Sequence, residues 1–276
     1  MAQYSILVNT CDRFEDCWQP FFKLFSIYWQ DYDGKIYLNT EYRDFSYEGL
    51  NIISVKGCEK HHFPKTKRAT WSQCLKWALE SMDTDIVLYM QEDYFIRDDV
   101  KNDLVEKYAG LMLSNDNIHC IHLTDMSETA KQISIEHDDL FPADPNFHGR
   151  INCQAALWQK KFLLSCIRTY ESAWQFEELG SRREMAKLHN IYGIGNVRFN
   201  QFEIIPYIFT GIVQGRWYEA VVPLFEKHNI IIDYTIRGFV KDMPKRSIST
   251  KIRSKFIRIY YLARNYFEIR KLKKLR

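Results

Sequence analysis

Residues 86–96 read IVLYMQEDYFI: an apolar run, a polar Gln91-Glu92-Asp93 step, then apolar residues again. A short continuous apolar run bounded by polar residues is the pattern of a strand buried on both faces. Such strands belong to mostly parallel sheets covered by helices, and those sheets bind ligands beyond the carboxyl ends of their strands. Glu92 and Asp93 stand at that end. This one stretch therefore predicts both a fold class and the place where chemistry would sit.

Upstream, residues 4–9 (YSILVN) form a second apolar run, closed by Thr10, Cys11, Asp12 and Arg13. Residues 14–29 are rich in aromatics at helical spacing, Gly34 breaks the chain, and residues 35–39 (KIYLN) and 51–55 (NIISV) read as further strands. In residues 70–82 (TWSQCLKWALESM), Trp71, Cys74, Leu75, Ala78 and Leu79 recur at three- and four-residue intervals, which predicts a helix lying on the sheet. Downstream, residues 118–123 read as a strand, 130–145 as a polar acidic loop, 154–167 (QAALWQKKFLLSCI) and 176–191 as helices, and 202–213 as β-like up to the Gly211 and Gly215 turn. Alternating strands and helices predict an α/β domain with a mostly parallel, Rossmann-like sheet flanked by helices. Trp18, Trp29, Trp77 and Trp158 fall in helix-like apolar patterns and are expected in the core; Trp217 fits that pattern least.

A chain of 276 residues, 46% hydrophobic and 15% aromatic, can bury one large core. No run of about 18 uncharged apolar residues is present to span a bilayer. The first residues pass directly into a strand without a basic, cleavable leader, so a cytoplasmic chain is expected. Seven cysteines are scattered with no C-x-x-C pair and are expected to be reduced and mostly structural. His61, His62, His119, His122 and His148 also lack a metal spacing. The net charge of +3 conceals an asymmetry. Residues 241–276 carry 13 Lys and Arg against two acids, a net +11, whereas residues 1–240 hold 25 basic and 33 acidic residues, a net −8. The chain is accordingly read as a main domain, 1–240, and a basic amphipathic segment, 241–276.

Two adjacent carboxylates at a strand's C-terminal edge are placed to hold a divalent cation against a diphosphate. A solvated loop acid is the plainer reading of the same pair. With its position after the fourth strand, the pattern resembles the GT-A glycosyltransferases, in particular the bacterial family-2-like enzymes that build capsule and lipopolysaccharide chains. The resemblance spans residues 4–218. It implies a polar nucleotide-binding turn after the first strand, where Thr10, Asp12 and Arg13 stand, and an Asp-x-Asp motif, where Gln91-Glu92-Asp93 stands. Asp93 matches the motif's last member and is the implied metal ligand for Mn²⁺ or Mg²⁺; Gln91 replaces the first Asp, so the motif is degenerate. Glu41 and Arg68 join the implied donor-binding set, as does Arg216 in the GIVQGRW stretch, because a guanidinium binds oxyanions in a planar fork.

Residues 174–178 (WQFEE) resemble the segment that supplies the catalytic base of inverting members, with Glu177 first and Glu178 second. A carboxylate there would deprotonate the acceptor hydroxyl as it attacks the anomeric carbon. The same acids equally suit the first turn of a helix. Trp174 and Arg150 are assigned to the acceptor and sugar pocket. The implied activity is transfer of a sugar from a nucleoside-diphosphate sugar, such as a UDP-sugar, to a hydroxyl of a glycan or lipid-linked glycan in surface polysaccharide synthesis. A sugar nucleotidyltransferase would need a Gly-rich triphosphate loop, and residues 10–18 contain no glycine.

The basic segment places Ile252, Phe256, Ile259, Ala263 and Phe267 on one helical stripe with cations elsewhere. Such a helix lies on an anionic membrane surface, which would make the protein peripheral at the inner leaflet. It also suits a partner protein or a nucleic acid; a nucleic-acid-binding module is the non-enzymatic alternative, which the acidic body argues against.

Overall fold

β1 (Ser5–Asn9) is buried at all five positions, so both its faces need cover and both its edges need partners. It receives them from β2 (Ile36–Leu38) and, on the other edge, from β4 (Ile86–Gln91), both parallel. β3 (Ile52–Ser54) extends the sheet parallel to β2. The far half is built from β5 (Cys120–Asp125), β6 (Phe141–Pro142), β7 (Ala156–Gln159) and β8 (Ile191–Ile194). The eight-stranded order is β3-β2-β1-β4-β7-β5-β8-β6. Four of the seven pairings are parallel; β7 runs antiparallel between β4 and β5, and β6 is antiparallel on β8. The α/β class with a mostly parallel, helix-flanked sheet is thus as expected. The computed structural model describes residues 3–125, 140–187, 189–194, 203–242 and 248–274. Residues 130–139 of the expected acidic loop, Phe202, residues 243–246 of the compositional boundary and the Ile252 side chain lie outside that description.

Helices cover the sheet because their apolar residues recur at three- and four-residue intervals and so share one face. α1 (Glu15–Tyr28) buries Trp18, Phe21, Phe22 and Phe25. α2 (Gly57–Lys60) is a single turn, and α3 (Trp71–Ser81) starts at Thr70, whose hydroxyl accepts the Gln73 amide at 3.1 Å, a cap worth about 1 kcal/mol. α4 (Asn102–Ser114) buries Val105, Tyr108 and Met112 and has no counterpart in the sequence reading. Trp18, Trp29 and Trp158 are core residues as expected, Trp77 is partly buried, and Trp217 lies fully in the core against Phe95 and Phe225.

Several elements differ from the sequence expectation, and one stands inside the expected loop 130–145, where Phe141 and Pro142 form β6 by pairing with Gly193 and Tyr192 of β8. Residues 154–167 split into β7 and α5 (Lys160–Cys166): ALWQ carries few β-branched residues, yet its backbone is captured by open ladder groups on both β4 and β5. The next expected helix is α6 (Ala173–Lys187), and Ile191 belongs to β8. Among the described residues, the β-like run 202–213 contributes β9 (Ile212–Val213), which pairs with β10 (Arg216–Trp217), and an isolated bridge from Tyr207 to Ile96. Beyond α7 (Val221–Lys227), the basic segment forms α8 (Ile248–Lys274), which packs on α6.

α8 docks through Tyr261, Asn265 and Glu268. Asn265 Oδ1 accepts from Arg183 Nη1 at 2.9 Å, Tyr261 stacks on Tyr170, and Arg168 donates to Glu268. Arg183 is itself buried and forks onto Glu171 at 2.6 and 2.9 Å. The expected stripe points the other way: Phe256 is 67% exposed and Phe267 74%.

Candidate active site

Asn9 and Gln91 are register partners at the ends of β1 and β4, so the residues that follow these strands emerge side by side. β2 delivers Glu41 on the other flank of β1. Together they floor a cleft of about 1790 Å³, walled by residues 68–71, 147–149 and 151–154, the start of α6, residues 209, 210 and 212–215, and two side chains of α8. The cleft lies beyond the carboxyl ends of the parallel strands, where the segment 86–96 foretold it.

Thr10, Arg13, Glu41, Arg68, Gln91, Glu92, Asp93, Trp174, Glu177 and Glu178 all line the cleft. Thr10 Oγ1 accepts from Trp18 Nε1 at 2.9 Å. Asp12 has another task. Its carboxylate accepts the Glu41 and Tyr42 amides at 2.8 and 2.9 Å, and its own amide donates to Glu41 Oε2 at 3.3 Å. Asp12 thereby staples the β1 turn to the β2 turn and is not among the lining residues. Arg150 and Arg216 do not line the cleft either. Arg150 is buried, and its guanidinium donates to the Ala143, Asp144 and His189 carbonyls, so it braces the 143–150 loop instead of reaching a ligand. Arg216 sits on β10, where its backbone serves the two-stranded sheet.

The Gln91-Glu92-Asp93 step is held from two sides. Asp93 Oδ2 accepts from Thr210 Oγ1 at 2.7 Å and from the Ile212 amide at 3.0 Å, and the Asp93 carbonyl accepts the Gly211 amide at 2.9 Å. Only glycine fits at 211, since a Cβ there would lie 2.2 Å from the Phe95 ring. Gln91 Nε2 points to the Cys153 carbonyl at 3.5 Å, and Tyr94 donates its hydroxyl to the same oxygen at 2.6 Å. Burial, then the charge of Asp93, pushes the Glu92 carboxyl well above its ordinary range; burial also raises Asp93, against the hydrogen bonds that favour its ionised form.

These residues fit a hard divalent cation. Two buried carboxylates stand side by side, where burial penalises the charge of both and Asp93 further penalises that of Glu92, and a cation relieves these penalties. Asp93 keeps Oδ1 outside its hydrogen bonds to Thr210 and Ile212. Two carboxylate ligands with the rest of the shell left to phosphates and water is the usual manner of Mg²⁺ binding at phosphate sites. Gln91 in the first place of the motif adds no charge to this set.

Glu177 and Glu178 are neighbours with opposite electrostatics. Glu177 Oε1 accepts the Cys153 amide at 2.7 Å, and burial raises its carboxyl. Glu178 receives the Arg258 guanidinium at 2.8 Å and Arg182 at 3.5 Å, and Arg258 first of all lowers its carboxyl. A proton acceptor needs basicity, which Glu177 has and Glu178 has lost. Trp174 stands 72% exposed at the rim, a flat apolar face open to a ring. Sequence reasoning missed Arg258 and Tyr261, which reach the cleft from α8, and Tyr170 beside them. No local pattern marks these residues, because their place depends on a helix docking from some 80 residues away. Thr210 was equally hidden.

No protein-family model matches this chain, and no curated protein matches it. Among solved structures, the chain is similar to a mycobacterial protein at 12% identity, covering 83% of this chain and 76% of that one with a TM-score of 0.46. It is similar to S. aureus TarS 1–349 at 10% identity, covering 70% of this chain and 58% of that one, TM-score 0.43. A third is glucosyl-3-phosphoglycerate synthase from Mycobacterium tuberculosis, in complex with Mn²⁺, uridine-diphosphate and phosphoglyceric acid, at 10% identity over 70% of this chain and 68% of that one, TM-score 0.43.

Proposed function

We propose that this chain is a GT-A-type glycosyltransferase that moves a sugar from a nucleoside-diphosphate sugar, a UDP-sugar first among them, to a hydroxyl of a glycan acceptor with inversion. The observation that carries the reading is the convergence of Glu92 and Asp93, at the end of β4, with Glu177, on α6, in one cleft that the β1 and β2 turns also line.

Glu92 and Asp93 would hold Mn²⁺ or Mg²⁺, which supplies charge neutralisation to a diphosphate leaving group. Arg13 and Arg68, both lining the cleft, add cationic donors for phosphate oxygens. Thr10 and Glu41 border the nucleotide end. Trp174 offers its exposed face to a sugar ring, and Glu177, kept basic by burial, takes the proton from the attacking hydroxyl. Glu178 orients Arg258 and Arg182 instead of moving protons.

For the acceptor, a lipid-linked glycan at an anionic bilayer surface suits the net +11 of residues 241–276 and the outward-facing Phe256, Ile259 and Phe267 of α8. This extends the reading to polysaccharide assembly, capsule or lipopolysaccharide, by a peripheral enzyme at the inner leaflet. Among the described residues no helix is long and apolar enough to cross a membrane. A thermal-shift series of nucleoside diphosphates with and without Mn²⁺ tests the core of the proposal. At least one is expected to raise Tm, more so with Mn²⁺; the absence of any shift overturns it.

A further inference from the structure

The seven cysteines carry no metal spacing in sequence, yet the fold gathers two of them. Cys58 is the second residue of α2, and Cys74 lies in the first turns of α3, so the loop between them closes back on itself. Glu41, just past β2, completes the group: a carboxylate oxygen and the two sulfurs all lie within 4.8 Å of one another. Three donors around one tetrahedral Zn²⁺ with bonds of about 2.0–2.3 Å stand ~3.5–3.8 Å apart, so small rotations of side chains suffice.

The surroundings distinguish this group from a chance pair of core thiols. Both cysteines are buried, and the partly buried rings of Tyr42, Phe63 and Trp77 pack against them as an apolar shell. Glu41 is oriented in advance, its backbone and carboxylate tied to Asp12 by hydrogen bonds in both directions, the kind of outer support that ligating carboxylates receive. Glu41 and Cys74 also line the cleft, so a fourth position opens there.

We propose that Glu41, Cys58 and Cys74 form a binding site for a thiophilic divalent cation, Zn²⁺, distinct from the all-oxygen set at Glu92 and Asp93. As each sulfur takes the metal, its S–H bond breaks and the proton leaves to solvent, two protons per ion, while Glu41 binds as the carboxylate. Three protein ligands and one open position match catalytic more than closed structural zinc sites. The ion would tie the β2 turn to α2 and α3 and so set the wall of the cleft that carries Arg68 and Thr70.

The test uses the full-length protein, loaded with Zn²⁺ or Co²⁺ and desalted. One Zn²⁺ per chain is expected, together with a near-ultraviolet thiolate-to-cobalt charge-transfer band that no carboxylate site produces. Cys58→Ser with Cys74→Ser should abolish both, and Glu41→Gln, which removes the ligand's charge, should keep the band and weaken binding. Asp93→Asn should leave zinc stoichiometry unchanged while losing any response to Mn²⁺, so this site and the proposed activity fail separately. Should the serine variants not fold, the unaltered protein decides: adding Zn²⁺ to the metal-free chain is expected to release two protons per ion, read with a pH indicator in weak buffer. Substoichiometric zinc, a missing band, a band that survives in a folded double variant, or zinc uptake without proton release overturns the proposal.

Discussion

At the scale of single residues, the cleft separates groups by what their surroundings do to charge. Asp93→Asn retains an oxygen to accept from Thr210 and Ile212 and replaces the other with an amide that repels a cation. Turnover is expected to fall by roughly 10²-fold, the size of losing one preorganised electrostatic group, with the circular-dichroism spectrum unchanged. Full activity removes Asp93 from the site. Glu177 must be ionised to accept a proton, and burial raises its carboxyl, so the acid limb of kcat/KM should lie above the usual carboxylate range and activity should drop as pH falls through it. Glu177→Gln should lose about 10²–10⁴-fold in kcat, whereas Glu178→Gln, which breaks only ion pairs to Arg258 and Arg182, should lose far less. The reverse ranking would move the base by one residue. Outside the cleft, His122 is wholly buried; its Nε2 lies 3.0 Å from the Arg150 carbonyl, its Nδ1 finds no partner among the described residues, and burial pulls its pKa down to about 4. The unfolded chain therefore takes up this proton before the folded one does. Stability should be intact above pH 6.5 and decline by about 3 kcal/mol toward pH 4, and His122→Gln should flatten that slope in urea titrations at several pH values.

At the scale of elements, α8 is the revealing one. Read as a sequence, it is a basic amphipathic segment set apart from the main domain; in the fold it supplies Arg258 and Tyr261 to the cleft and Asn265 to the buried Arg183–Glu171 pair. Asn265→Ala should leave one Arg183 N–H without its acceptor and lower unfolding free energy by about 1–3 kcal/mol, measured by chemical denaturation. A variant as stable as the parent would place α8 loosely on α6. β7 teaches a similar lesson in reverse. Residues 156–159 have no strand signature of their own, and they become a strand because β4 and β5 each present an open ladder edge to them.

At the scale of the whole molecule, an acidic body of net −8 and a basic segment of net +11 meet along α6 and α8. Since α8 binds the body through Tyr261, Asn265 and Glu268, the opposite face is left to present Phe256, Ile259 and Phe267 to a surface. Each cation near an anionic leaflet contributes about 1 kcal/mol, so several together should hold the protein at a bilayer in a salt-sensitive way. Flotation with phosphatidylserine vesicles should recover the full chain, and Phe256→Ser with Phe267→Ser should reduce recovery without touching the docked face. Equal recovery of the two proteins would make α8 a structural wall alone.

The α/β class, the first four strands, α1 and α3, and the position of Asp93 and Glu177 were legible along the chain, because strand and helix periodicities are local and a ligand site at the carboxyl ends of parallel strands follows from the order of elements. Which polar side chains face the cleft was not. Asp12, Arg150 and Arg216 are as polar as Arg13 and Arg68, but Asp12 and Arg150 satisfy backbone groups that the fold leaves unpaired and Arg216 sits on β10 away from the cleft. The pairing of Cys58 with Cys74, the split between a basic Glu177 and an ion-paired Glu178, and the arrival of Arg258 all require segments distant in sequence to pack side by side. Burial and partner geometry set charge and hydrogen bonding, and both come into being only when the chain closes on itself.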